Sequence, residues 1–247
     1  MKTIAVISSK GGTGKTTTTI SLAHGLTLLG KRVLLIDSDP QDTVSIIFNV
    51  NPEKNLSDLL LRNETSILNV RDGLDIITSG GAILAETEVK LNKKLFKKEY
   101  KLKKNLADIR NYDYIICDCA PTINLINTNI LTYCDNVIIP ISMDFLSQIG
   151  ASQVISIIDK IRDSYNNSLK ILGVLPVLYR EKSLLSTETH KILKEFFKDK
   201  LFNTYIREDQ SLKIAPSYSQ TIYEYDSESD GAKDYMKFVK EVQARLK

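Results

Sequence analysis

The sequence predicts a doubly wound α/β fold, a mainly parallel sheet with helices on both faces, and three observations carry that expectation. Short apolar, β-branched runs alternate with stretches of helical periodicity, the order from which crossover units build parallel sheets. The first of these runs passes through a glycine-rich turn straight into a helical pattern. No run of about eighteen apolar residues interrupts the alternation, so no membrane span is expected.

Taken in order, strand patterns cover Thr3–Ser8, Arg32–Asp37, Leu74–Thr78, Tyr112–Asp118, Asn136–Ile141 and Lys170–Val177. Helical periodicity is clearest over 15–29, 147–163, 186–198 and 231–246, the third opened by Ser186 as N-cap with Thr189 in the capping-box place. Residues 50–110 are the least readable, with turns at Asn51-Pro52 and Gly80-Gly81 but no sign of a separate unit, so 1–247 is expected to form a single domain. Met1-Lys2 leads directly into Thr3–Ile7, which leaves no place for a signal peptide and implies a cytoplasmic protein.

Composition narrows the chemistry. Cys117, Cys119 and Cys134 form no even disulfide framework and lack the second ligand pair of a zinc or iron–sulfur site, and Cys117 and Cys119 share one face of their strand. His24 and His190 fall within helices and match no ligand or triad spacing. The formal net charge is +3, unevenly spread: Lys90, Lys93, Lys94, Lys97, Lys98, Lys101, Lys103 and Lys104 surround one acid, Glu99. Leu91, Leu95, Leu102 and Leu106 are near helical spacing there, so the stretch is either a solvated helix face or a binding patch.

The glycine-rich turn, Ser9-Lys10-Gly11-Gly12-Thr13-Gly14-Lys15-Thr16-Thr17, lies between a strand and a helix, the context a phosphate loop requires. Glycines let main-chain N–H groups turn inward around phosphates, and the helix adds its positive end. Lys15 is placed to neutralise the β- and γ-phosphates and Thr16 to ligate Mg²⁺, with Gly11, Gly12, Thr13, Gly14 and Thr17 completing the cradle. Two further strands end in acids. Asp37 and Asp39, in Asp37-Ser38-Asp39-Pro40-Gln41, lie at the carboxyl end of a wholly apolar strand, where α/β folds gather ligands, and Tyr114–Cys117 leads to Asp118, the Walker B arrangement. Phosphoryl transfer to water needs such an acid for Mg²⁺ and a group that orients the water.

The form K-G-G-x-G-K-[ST] at the start of the chain resembles the deviant Walker A motif of the ParA/MinD superfamily, and the segment at Asp37–Gln41 resembles the D-x-D-P-Q motif of ParA proteins. Val137–Pro140, Gly150 with Gln153, Gly173-Val174-Leu175 and the run Tyr225-Asp226-x-x-Ser229-x-Gly231-Ala232-x-Asp234-Tyr235 extend the likeness to partition ATPases over nearly the whole chain. The resemblance implies an ATPase in which Lys10 reaches the partner subunit's nucleotide, Asp39 positions the attacking water, and Asp37 and Asp118 act near Mg²⁺. It also implies an adenine pocket after the Gly173 strand and around Ile206-Arg207. A guanine-reading loop is not matched, because Asn92-Lys93-Lys94-Leu95 lacks the aspartate.

Three departures stand out: Ala120 replaces a proline, Asn124 stands where glycine is common, and Ile214 where relatives often carry glutamate.

The phosphate loop begins too early for a helix-turn-helix module upstream, so the short, Soj-like architecture is expected. For such proteins the resemblance implies a homodimer when ATP is bound, nonspecific binding to double-stranded DNA at the nucleoid, and hydrolysis stimulated by a ParB-like protein. Lys182 falls where relatives carry a DNA-contacting arginine; Ser211 replaces the second such arginine, and Lys213 is its candidate substitute. The alternatives are a MinD-like membrane-associated ATPase, which needs an amphipathic basic tail, and an iron-protein-type reductase, whose bridging cysteines do not match this spacing. The last helix carries Tyr235, Phe238, Val239, Val242 and Leu246 on one stripe, the pattern of packing against the domain.

Overall fold

The structure is a computed structural model that describes residues 1–93, 96–122 and 124–247, with the backbone alone over 145–149. Lys94 and Leu95 of the basic stretch lie outside the described residues. In chain order the elements are β1 (Lys2–Val6), α1 (Lys15–Thr27), β2 (Val33–Ser38), α2 (Thr43–Phe48), α3 (Leu56–Arg62), β3 (Leu68–Arg71), β4 (Leu74–Ile77), α4 (Ala82–Asn92), α5 (Lys101–Asn105), β5 (Tyr114–Cys119), α6 (Leu125–Tyr133), β6 (Asn136–Ser142), α7 (Phe145–Ser164), β7 (Lys170–Val177), α8 (Leu184–Phe197), α9 (Gln210–Ile214), α10 (Ile222–Tyr225) and α11 (Asp230–Arg245).

The strands form one sheet in the order β3-β4-β2-β5-β1-β6-β7, parallel except where β3 pairs antiparallel with β4. Alternate side chains feed two cores, because successive residues of a strand point to opposite faces. Ile4, Val6, Val33, Leu35 and Ile116 pack with α1, α2 and α11, whereas Ala5, Ile7, Leu34, Ile36 and Ile115 pack with α3 to α8. Helices therefore cover both faces, as the alternation predicts.

Four details differ from the sequence reading. The edge strand β3 was not expected: it has only four residues, and it reaches β4 through Asp72-Gly73, with Gly73 at φ 72°. An Asp-Gly pair between apolar runs is itself a hairpin signal. Helix α8 starts earlier than predicted, and its N-cap is Ser183, whose hydroxyl accepts from Ser186 N, so Ser186 lies inside the helix.

The basic stretch is not one helix face. Helix α4 stops at Asn92, Lys97 takes a left-handed backbone, and α5 begins at Lys101, while Leu91, Leu102 and Leu106 are all buried. Finally, strand limits shift by one or two residues, as at β1 and β5.

Cys117, Cys119 and Cys134 are free thiols in one buried cluster, with Cys117 Sγ and Cys134 Sγ 3.8 Å apart. Tyr235, Phe238, Val239, Val242 and Leu246 of the last helix are buried against the face that carries α1, which accounts for the stripe by packing. Among the described residues no helix is long and apolar enough to cross a membrane.

Candidate active site

The chain leaves β1 and turns through Ser8–Gly14 before α1 begins. Gly12 and Gly14 have φ of 76° and 69°, a region that side-chain-bearing residues enter only with strain. A Cβ on Gly11, Gly12 or Gly14 would meet open space, so their bareness keeps that space free for a ligand. Behind the loop the Ser8 and Thr13 hydroxyls stand 2.5 Å apart, and both reach the Lys10 carbonyl, at 3.3 and 3.2 Å. No side chain caps α1, so its first N–H groups and its positive end face the cavity in front of them.

That cavity has a volume of about 840 Å³. Gly11, Gly12, Gly14, Lys15, Thr16 and Thr17 form one wall, with Asp39 to Gln41 and Ala120 to Thr122 beside them. Another wall brings together the apolar side chains of Val177, Leu178, Ile206, Leu212, Pro216 and Tyr235, with charged Arg207, Glu208, Asp209 and Lys213 between them. Pairing of Ile206 with the end of β7 holds this region in place, through Ile206 N to Pro176 O (2.8 Å) and Tyr179 N to Ile206 O (3.0 Å). Leu178 has φ 55°, so the chain turns sharply away from the sheet as it leaves β7.

Under the loop lie two carboxylates. Asp37 on β2 and Asp118 on β5 are register partners, and both are fully buried. Thr16 Oγ1 donates to Asp118 Oδ2 at 2.7 Å and Thr19 Oγ1 donates to Asp118 Oδ1 at 2.9 Å. Burial pushes the Asp118 carboxyl up to about 6, against the pull of those two hydroxyls and of Lys15. Asp37 is raised well above the usual carboxylate range, first by burial and then by the charge of Asp118. Its oxygens already accept two main-chain N–H groups, Asp39 N at 2.9 Å and Val44 N at 3.2 Å, so Asp37 holds the shape of the loop that carries Asp39.

A hard divalent cation fits this site. The donors are oxygens of Thr16 and Asp118, and the buried carboxylate pair is short of positive charge. Asp39 stands on the cavity wall, half-buried, with Oδ1 accepting Gln41 N at 3.0 Å.

The segment after Asp118 is pinned from α6. Asn127 Nδ2 donates to Ala120 O at 2.8 Å and to Thr122 O, while the Asn124 side chain caps α6 by accepting Asn127 N at 2.8 Å. Asn124 thus has a structural account as an N-cap.

Lys10 stands off the cavity wall. Its ammonium pairs with Asp144 Oδ1 at 3.2 Å, and Ser142 Oγ donates to Asp144 Oδ2 at 2.6 Å. Gly150 on α7 lies so close to the loop that a Cβ there would run into the Ser9 hydroxyl.

The two candidate DNA lysines are dispersed. Lys213 is on the wall of the large cavity and pairs with Glu208 at 2.7 Å. Lys182 is exposed and lines a neighbouring recess of about 560 Å³ with Arg180, Glu181, Glu208 and Asp230.

Several site residues escaped the sequence reading. Thr19 is one, invisible because its bond to Asp118 spans two distant segments; Asp144 and Asn127 are others. The C-terminal signature acquires a physical meaning only here. Asp234 holds Arg207 by a two-pronged contact, Nε to Oδ2 at 2.7 Å and the second guanidinium nitrogen to Oδ1 at 2.8 Å, and Tyr235 OH meets Thr18 Oγ1 at 3.0 Å. The last helix is thereby tied both to the cavity wall that carries Arg207 and to α1.

A family model described as an AAA domain matches residues 1–171. Over 251 residues the chain is 35% identical to the sporulation initiation inhibitor protein Soj of Bacillus subtilis (strain 168), covering 98% of each. The chain belongs to the ParA/Soj family of partition ATPases.

This ParA/Soj-family chain is also 31% identical to the chromosome partitioning protein ParA of Caulobacter vibrioides, over 99% of the chain and 95% of that relative. Its fold matches that of cobyrinic acid a,c-diamide synthase from Mycobacterium smegmatis with bound ATP analogue and magnesium, at a TM-score of 0.83 and 27% identity, covering 97% of this chain and 93% of the other. In this member of the family the glycine-rich loop, Asp39 and the segment after Asp118 converge on one cavity, with Asp37 and Asp118 buried beneath it.

Proposed function

We propose that the chain is a single-domain partition ATPase in which Mg-ATP binding joins two subunits, the dimer holds double-stranded DNA without sequence preference, and hydrolysis stimulated by a ParB-like protein releases it. The observation that carries this reading is the convergence of Lys15, Thr16, Asp39 and the segment after Asp118 on one 840 Å³ cavity, with glycine-rich loop residues on one wall and apolar side chains on another. Phosphates are held by the main-chain N–H groups of Gly11 to Thr17 and by the Lys15 ammonium, and the base rests between Leu178, Ile206 and Pro216. Thr16, and Asp118 through a water, would hold Mg²⁺, with Asp37 beside them keeping the loop in shape. Held there, Mg²⁺ would neutralise charge on the phosphate oxygens.

Asp39 orients the attacking water, because it is the carboxylate of the D-x-D pair that stands on the cavity wall and not beneath it. Lys10 contacts the nucleotide of the second subunit. Its pair with Asp144 is about half exposed at the lysine, and such pairs are worth about 0–1 kcal/mol, so exchanging Asp144 for a phosphate is energetically accessible. DNA affinity follows dimerisation, since two linked copies raise effective concentration without any new contact.

Fluorescence anisotropy of a labelled duplex with ATP, ADP and no nucleotide, across a salt series, tests the reading. Tight binding in ATP alone is expected, unaffected by scrambling the sequence, with Lys182→Ala reducing affinity alike on every duplex. Equal affinity in all three nucleotide states, or ATP-dependent binding to anionic liposomes alone, would overturn it.

A further inference from the structure

We propose that Lys93, Lys97, Lys103 and Lys104, in the lysine-rich connection between α4 and α5, form a contact surface for the phosphates of duplex DNA; this rests on the DNA-binding reading above and assigns it a second surface. In sequence, residues 90–104 carry eight lysines and one acid, Glu99, in a chain with 33 basic and 30 acidic residues in total, so acids outnumber bases elsewhere. The segment is therefore a local excess of positive charge in the sequence.

The connection is built as a surface. Buried Leu91 and Leu102 root it at both ends. Between them Asn129 of α6 donates to Lys98 O at 2.9 Å and accepts Leu102 N at 3.1 Å, and Tyr100 OH reaches Tyr165 O at 3.5 Å. With the backbone held and the leucines inward, Lys93, Lys97, Lys103 and Lys104 are exposed, and among the described residues none of the four has an acidic partner within ion-pair distance. Lys213, by contrast, shares the Glu208 carboxylate with Arg180, and Lys182 lines a recess where three acids stand beside Arg180 and Arg207.

Position adds a second argument. Tyr165 follows α7 at the edge of the sheet where β7 begins, whereas the phosphate loop and the acids stand where the strands end. The lysine segment therefore stands toward the opposite end of the strands from the nucleotide cavity. Its chemistry favours DNA over a lipid surface: Phe96 is the one large apolar side chain exposed within the segment among the described residues, too little to anchor in a bilayer. Lysine is a point charge without arginine's planar fork, suited to phosphates and indifferent to base sequence.

The test uses the full chain with Mg-ATP and a fluorescent duplex over a salt series, comparing wild type with the combined Lys93→Gln, Lys97→Gln, Lys103→Gln and Lys104→Gln variant. Affinity is expected to fall at least about tenfold at low salt, and the slope of log affinity against log salt to shrink by roughly three to four, at about 0.9 per lost contact. Basal ATP hydrolysis and ATP-dependent dimerisation should be retained, and the same four positions as arginine should restore binding. Wild-type affinity and slope in the glutamine variant, or no recovery with arginine, would overturn the surface while leaving the DNA reading intact. Failure of wild type itself to bind duplex in ATP would instead remove the DNA reading. Loss of binding to phosphatidylglycerol vesicles with unchanged DNA affinity would reassign the surface to lipid.

Discussion

Replacing Asp118 by asparagine keeps the shape of the side chain and removes one of two buried, facing carboxylates. Asp118 is pushed from 3.8 to about 6. At about 1.36 kcal/mol for each pKa unit, the charged form destabilises the nucleotide-free fold by on the order of 3 kcal/mol near neutral pH, taken as an upper bound. Against this, the amide accepts from only one of Thr16 and Thr19 as a neutral oxygen, a loss of about 1–2 kcal/mol. The variant should therefore be more stable than wild type by roughly 1–2 kcal/mol, a Tm rise of about 2–8 °C for a chain of this size.

The sign with pH follows from burial. The folded-state value lies above the unfolded one, so the folded chain keeps a proton that the unfolded chain releases. The stability from Asp118 is complete below the unfolded value near 3.8 and is lost as pH rises through about 6. Thermal unfolding of both proteins across that window, without nucleotide and with Mg-ATP, reads all of this. Wild type should lose stability as pH rises and regain it with Mg-ATP, while Asp118→Asn should show a flatter profile and little gain from the ligand. A less stable asparagine variant near neutral pH, or an unchanged pH slope, would refute the reasoning.

Other substitutions separate the remaining roles. Lys15→Ala should abolish ATP binding, because the loop loses its buried side-chain countercharge; retained micromolar affinity in calorimetry would contradict the phosphate-loop role. Lys10→Ala should change folding stability by less than about 1 kcal/mol, since its partner Asp144 is reached across exposed ground, yet prevent dimerisation with a slowly hydrolysed analogue in sizing chromatography. A normal dimer would exclude the inter-subunit contact. Asp39→Ala should bind ATP, dimerise and stall, and phosphate release at the wild-type rate would shift water positioning to another group.

The sequence alone determined the layered α/β plan and the places of the glycine-rich loop and of three acids near strand ends, because each is a local property: periodicity, a glycine pattern and apolar strands that end in carboxylates. It also predicted that Cys117 and Cys119 share a face and that the last helix packs inward, both of which follow from spacing along one element. The tertiary structure decided whatever depends on segments meeting. Thr19 became a partner of Asp118 only when α1 crossed the end of β5, and Asp234 found Arg207 only when the last helix closed the cavity. It broke the basic stretch into two short helices because Leu91 and Leu102 are drawn into the core on either side of a left-handed turn at Lys97. It also separated lysines that look alike in sequence, pairing Lys213 with a Glu208 that Arg180 also holds while Lys103 has no acid within ion-pair distance among the described residues, since the field at a charge depends on neighbours that folding brings together.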